Sequence, residues 1–490
     1  MIYLYTIFYF LILYANHQNF PGLHGDEAYF GIVAKKILNQ PFYSIPVNGM
    51  NDFTSGFHSK LVSWFSFITK NPISMLRLPS ITLNTLMFFL VLKSFKKNIH
   101  LSALIFFLTS FLFIHLKLGF EVVSITPICF SVFLLLFKNQ NYSLQQQGIT
   151  TYLIFLLMLI GFANHPIFAV ASGALFIFFI LTNDLKNLVT SSALNICLLS
   201  FLIFKRHQSF LSNGNYVVFL FTYAFLFFQL AMYLRRFDLK LSASRFFQKL
   251  KKYLTFSLLI YFTLAHLSPF IETILGTNIL RRYFGVELGF LPSLAISIIF
   301  GILILFFIFK NRLKLKGNNL FIFLISIFMM MTIVTNRPVI RHYIIPVIAL
   351  VFFLLDYVTI ISKKKVYAAL IPVCSIHIFL ILKPNVWQNS KNLLYRIYRK
   401  HDTSAHYSQV APLLKYLQSQ NISPKELISN EFIKRPLNYL GLKKTPSGPT
   451  LYIDHCYSEK CTVAGFNIYL EKPEPFNAFL DHKTRYRQQK

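Results

Sequence analysis

The chain has 490 residues, of which 55% are hydrophobic and 13% charged, and it carries 56 phenylalanines and a formal net charge of +31. A soluble chain holds about 25% charged residues, so this composition excludes an ordinary globular protein and points to a polytopic membrane protein. The basic excess does not signal nucleic-acid binding, because Lys and Arg sit in short clusters between apolar runs, where they set membrane orientation and face anionic lipid headgroups.

In chain order, thirteen apolar runs read as membrane-spanning helices. They lie at about 1–17, 75–95, 101–118, 122–138, 149–164, 167–183, 188–204, 216–234, 253–270, 288–310, 319–335, 339–361 and 366–383. Backbone polar groups have no water to bond in lipid, which makes each run a helix. The first run lacks a basic leader and a small-residue cleavage site, since Asn16-His17-Gln18-Asn19 follows it; it reads as a retained span.

With the N-terminus inside, the inside loops collect Lys93, Lys96, Lys97, Lys138, Lys186, the cluster from Arg235 to Lys252, Lys310 to Lys316, and Lys363-Lys364-Lys365. The outside loops carry fewer basic residues over more chain, as the positive-inside rule requires. This orientation places the long first loop, 17–74, and everything after Pro384 outside. The expected fold is an all-α bundle, residues 1–383, followed by a small extracytoplasmic α/β domain, residues 384–490. In that domain a helix is expected near 409–420 and a strand at 450–454.

In the first loop, Asp26 to Leu38 reads as an amphipathic surface helix with both acids in its first turn. Phe57 to Ile68 reads as a second apolar segment on the membrane surface. Cys129, Cys197 and Cys374 fall in apolar runs, and Cys456 and Cys461 could form a disulfide in an extracytoplasmic tail. No Cys/His zinc spacing occurs.

Acidic residues are scarce, only 17 in all, yet Asp26, Glu27, Asp52, Glu121, Glu272 and Glu287 all fall on the outer side. His58, Arg77, Lys117, His165, Arg281, Arg282, Arg337, Arg341 and His342 fall on the same side. Ionisable groups at membrane depth are costly and default to a functional reading. Carboxylates beside cations suit a lipid phosphate leaving group and a hydroxyl nucleophile: cations offset the charge growing on phosphate, and a carboxylate takes the hydroxyl proton. The plainer alternatives are that Asp26 and Glu27 cap a helix, that Glu121 pairs with Lys117 along one helix face, and that Arg77 snorkels from a helix end.

Three strings in order, His24 to Leu38 (HGDEAYFGIVAKKIL), Gly56 to Phe65 (GFHSKLVSWF) and Met75 to Ser80 (MLRLPS), resemble the GT-C-type membrane glycosyltransferases. They are most similar to the protein O-mannosyltransferase and aminoarabinose-transferase branch. The middle string departs from that pattern: His58-Ser59-Lys60-Leu61 stands where the family commonly has His-Pro-Pro-Leu or Lys-Pro-Pro-Leu. Lys117 to Glu121 resembles the family's second acidic position. Arg341-His342-Tyr343-Ile344-Ile345-Pro346 resembles the start of a late span.

The resemblance implies an inverting transfer of sugar from a polyprenyl-phosphate donor to a lipid, polysaccharide or protein acceptor on the outer face of a bacterial inner membrane. It implies Asp26 as base or acceptor-orienting carboxylate, Glu27 as its assistant, and Glu121 as a second acid. It further implies that Arg341 and one of Arg281, Arg282 or Arg337 hold the lipid phosphate and that His58 sits near donor or acceptor; Arg77, Lys117, His165 and Tyr343 are further candidate substrate contacts. A divalent metal on Glu121 is compatible with the sequence but not demanded by it. An O-antigen ligase or polymerase would share the span number but carry its long outer loop late. A flippase would show internal repeats and broken helices, which the sequence lacks.

Overall fold

The computed structural model describes, with short gaps, residues 1–39, 57–108, 116–138, 144–182, 253–262, 318–334, 343–357 and 410–473, with isolated positions at 187–196, 266 and 270. The runs read at 216–234, 288–310 and 366–383 lie outside the described residues, as do the 383/384 boundary and Cys456 and Cys461.

Among the described residues the first 357 positions are helical: α1 (Ile2–Tyr14), α2 (Gly25–Lys36), α3 (Phe57–Phe65), α4 (Pro72–Ser94), α5 (Ile99–Leu108), α6 (Glu121–Lys138), α7 (Leu144–Asn164), α8 (Ala169–Thr182), α9 (Asn319–Val334) and α10 (Ile344–Tyr357). Apart from α2 and α3, which lie in the first loop, these sit on the apolar runs read from sequence. Of them, α4 is long and apolar enough to cross a membrane unaided, and α1, α8, α9 and α10 are shorter apolar helices. One side of α1 buries Tyr9, Ile12 and Leu13, while Tyr3, Leu4, Ile7 and Leu11 stand exposed on the other. An apolar face turned outward from a packed helix is what a lipid-facing helix presents.

Helix α4 is the frame of the bundle, packed against α1, α3 and α6. Its start is fixed by sequence: the Asn71 carboxamide oxygen accepts the Ile73 and Ser74 N–H groups, each at 3.0 Å. Pro72 follows in the first turn, where its missing N–H costs nothing. Deeper in α4, the Asn84 amide nitrogen lies 2.8 Å from the Ser80 carbonyl, 3.0 Å from that of Leu116 and 2.7 Å from that of Val123. This staples the turn before α6 onto α4. Gly119 in that turn is required: a Cβ there would come within 2.8 Å of the Leu76 carbonyl oxygen.

One expectation for the first loop changes. Helix α2 is not amphipathic: Glu27, Ala28, Phe30, Gly31, Val33 and Ala34 are all buried, on more than one face. It packs against α3 and α4 on one side and against a C-terminal helix on the other. The apolar pattern of α2 thus meets protein. Helix α3 buries mainly polar residues, His58, Ser59, Lys60 and Ser63 with Val62, while Phe67 and Ile68 just beyond it stand exposed, as an apolar segment on a membrane surface does.

The C-terminal part has its own core of Val410, Leu413, Leu417, Leu427, Ile433, Leu437, Leu451, Ile453 and Phe466. Its elements are α11 (Val410–Ser419), β1 (Glu426–Ile428), α12 (Glu431–Tyr439), β2 (Thr450–His455) and β3 (Phe466–Tyr469). The sheet runs β1-β2-β3, with β1 and β2 parallel and Leu427 opposite Leu451, and β2 antiparallel to β3. Parallel strands need a crossover, and α12 supplies it. Both helices end on a left-handed residue, Asn421 (φ 52°) after α11 and Gly441 (φ 95°) after α12. The next N–H bonds back in each case, Ile422 to Leu417 and Leu442 to Leu437, at 2.9 Å. The helix and strand expected from sequence at 409–420 and 450–454 are present; α12 was not foreseen.

Candidate active site

The acidic pair divides into two unlike groups. Glu27 is fully buried. Its Oε1 accepts from the Arg77 Nε–H at 2.9 Å and its Oε2 from Nη2–H at 2.8 Å. Oε1 also accepts the Gly119 N–H at 2.7 Å. Arg77, equally buried, gives its remaining arm to the His17 carbonyl at 2.6 Å. A forked guanidinium–carboxylate pair is the strongest form of such contact. The pair therefore joins four separate segments: α2, α4, the turn at 117–120 and the chain at His17.

Arg77 thus does not snorkel from its helix end, because its guanidinium points inward to a buried acid. The reason lies in spacing that a linear pattern hides: Glu27 and Arg77 are fifty positions apart. His17 completes the support. Its Nδ1–H donates to the Tyr14 carbonyl at 2.7 Å, and its Nε2 accepts the Ser74 hydroxyl at 2.8 Å. Burial first, and then the Arg77 and Lys117 charges, hold His17 below the usual histidine range, in keeping with this neutral tautomer.

Asp26, the neighbouring acid, stands apart. Its side chain is 16% exposed, and its Oδ1 faces Arg435 Nη1 of α12 at 3.9 Å. Glu27 has both oxygens occupied by fixed donors, whereas Asp26 faces its cation at long range.

His58 lies beneath this pair. Its Nε2–H donates to the Gly119 carbonyl at 2.8 Å, and its ring meets Phe30 edge-on with centroids 5.4 Å apart. The Nδ1 atom is buried without a hydrogen-bond partner among the described residues. Gly119 therefore serves two side chains at once, its N–H held by Glu27 and its carbonyl by His58. Burial pushes the His58 imidazole down to about 4 from its ordinary 6.5. The unfolded chain takes up this proton first as pH falls. Stability from the neutral ring is thus complete above pH 6.5 and declines as pH drops toward 4, by about 3 kcal/mol in all. Melting curves of the detergent-solubilised protein between pH 7 and 4 should show this fall, and a shallower one in His58→Gln, whose amide can still donate to Gly119.

Lys117 is fully buried in the turn before α6, with Nζ 3.3 Å from the Ala15 carbonyl oxygen. Glu121 begins α6, so the two do not share one helix face as the four-residue spacing suggested. Lys60 is buried on α3. His165 turns the chain between α7 and α8, its Nδ1 accepting the Ile167 N–H at 3.1 Å. Tyr343 is buried in another group, its hydroxyl 3.1 Å from His266 Nδ1 and its ring 5.8 Å from that of Phe270. Arg281, Arg282, Arg337, Arg341, Asp52, Glu272, Glu287 and the Glu121 side chain lie outside the described residues. Among the described residues no group of three or more His, Cys, Asp or Glu is placed to hold a metal ion.

Sequence reasoning missed the C-terminal contribution. Tyr439 of α12 donates its hydroxyl to the Pro72 carbonyl at 2.6 Å. Its ring lies where a side chain on Gly31 would be. Lys35 Nζ donates to the Tyr439 carbonyl at 2.9 Å and sits 4.4 Å from the ring centroid. No local motif marks Tyr439 or Arg435; the only signal was Gly31 inside the first-loop string. Gly31→Ala should separate these helices at a cost of about 1–3 kcal/mol, seen as faster proteolysis of the C-terminal domain in intact protein.

No protein-family model matches the sequence, and comparison with curated proteins gives no significant match. Two solved structures do match in fold. ArnT from Cupriavidus metallidurans bound to undecaprenyl phosphate superposes with a TM-score of 0.50 at 11% identity, covering 96% of this chain and 99% of that one. The apo form of the same protein gives 0.48 and 10%, with 92% of each chain covered. The mostly helical fold thus shares the architecture of ArnT, an aminoarabinose transferase of GT-C fold, over nearly its whole length.

Proposed function

We propose that this chain is a GT-C-type glycosyltransferase of about thirteen spans. It takes a sugar from a polyprenyl-phosphate donor on the outer face of the membrane and passes it to a lipid, polysaccharide or protein acceptor. The observation that carries this reading is the division of labour in the acidic pair: Glu27 locked by Arg77 and Gly119, Asp26 beside it and partly open. Full-length similarity to a fold solved with undecaprenyl phosphate agrees with it.

In this reading Asp26 accepts the proton of the acceptor hydroxyl as that oxygen attacks the anomeric carbon. The bond from that carbon to the phosphate oxygen breaks, and polyprenyl phosphate leaves with inversion of configuration. Cations on the outer side, Arg341 with one of Arg281, Arg282 or Arg337, take up the charge on the leaving phosphate. His58 and Tyr343 belong to the donor or acceptor surroundings, and Glu121 is the second acid. Residues 1–383 form the transferase bundle and 384–490 an extracytoplasmic domain.

The test uses membranes from cells overproducing the full chain, supplied with radiolabelled polyprenyl-phosphate mannose or polyprenyl-phosphate aminoarabinose. Label should move into a lipid, polysaccharide or protein fraction beyond the level of control membranes. Label that stays on both donors overturns the reading.

A further inference from the structure

Helix α12 meets α2 along one face of each helix. Arg435 and Tyr439 are four residues apart on α12 and so lie one above the other. Asp26 and Tyr29, three apart, do the same on α2. Tyr439 is the anchor: its hydroxyl on Pro72, its ring against Gly31 and its carbonyl under Lys35 fix α12 in position and height. One turn earlier, the Arg435 guanidinium lies 5.3 Å from the Tyr29 ring centroid and 3.9 Å from Asp26 Oδ1. The ring below and the anchor one turn away restrict where this guanidinium can go.

A general base must be held within reach of the proton it takes. Glu27 shows what tight pairing does: three fixed donors hold its two oxygens, and the side chain is fully buried. Arg435 Nη1 stands 3.9 Å from Asp26 Oδ1, farther than any Glu27 donor given above, so it sets a fixed positive charge beside the Asp26 carboxylate.

Resting on the transferase reading above, we propose that Arg435 is a positioning residue for Asp26. The C-terminal domain then supplies part of the working site and is more than an appended module. Arg435 touches neither donor nor leaving phosphate in this proposal; it acts through Asp26.

The experiment compares Arg435→Met, Arg435→Lys and the control Lys443→Met, which removes an equal charge from an exposed position of the same domain. All are made in the full chain and assayed for transfer from the donor that serves the unaltered protein. Arg435→Met should lower kcat about tenfold, with the donor KM changed less than about twofold. Arg435→Lys should recover most of the loss, since the ammonium keeps the charge, and Lys443→Met should match the unaltered protein. Melting temperatures should agree across the set. An unchanged kcat in Arg435→Met overturns the proposal, as does a loss confined to donor KM, which would make Arg435 a phosphate contact. A failure to rescue with Lys also overturns it. If Asp26→Asn itself transfers sugar normally, the underlying reading falls; if Asp26→Asn is impaired while Arg435→Met is not, only this proposal falls.

Discussion

Asp26→Asn is expected to reduce sugar transfer about 10²- to 10⁴-fold, the range associated with removing a positioned general base. The folded protein should survive the change. The Asp26 side chain is partly exposed, and the change to Asn preserves its size and shape. Asn keeps the size and one oxygen toward Arg435, while losing the ability to take a proton. The measurement is transfer rate together with a melting curve on the same preparation. A normal rate ends the catalytic assignment. A normal melt with a collapsed rate separates Asp26 from its neighbour.

Glu27→Gln should behave in the opposite way, failing first in stability. Removing the charge from one side of a buried pair strands the other, which typically costs about 3–5 kcal/mol. Here Arg77 would keep a full positive charge with no exposure, and Gly119 would lose a charged acceptor. Such a loss is comparable with the whole stability of many domains. Arg77→Lys should cost nearly as much, because an ammonium cannot supply the fork that meets both Glu27 oxygens and still reach His17. Thermal unfolding followed in detergent would show both. Retention of the normal melting temperature in Glu27→Gln would mean that the pair contributes little.

Much of the helical layout was legible in the sequence, because lipid imposes long apolar runs and Asn71-Pro72 announces the start of α4. The importance of Asp26 and Glu27 was legible too, as an acidic pair on the side where few acids occur. Their difference was not. It depends on Arg77 and Gly119, which reach Glu27 from 50 and 92 positions away. The surface-helix reading of α2 failed for the same reason: nothing local shows that a charged residue has a buried partner, or that α12 will cover the helix. Arg435 and Tyr439 had no periodic or motif signal, since each matters only through a contact formed across the whole chain.

That last kind of contact sets the timing of assembly. Lys35 and Tyr439 are 404 positions apart, and Tyr439 reaches back 367 positions to Pro72. A ribosome delivers α2 and α4 long before α12 exists, so the Glu27–Arg77 lock can close early while Asp26 still lacks the domain that faces it. Contacts of such separation form late. A chain caught partway through synthesis would hold a stable outer loop and no completed site. Competence for transfer would then arrive only when α12 has been made, delivered to the right side and docked, so that activity itself reports a finished molecule.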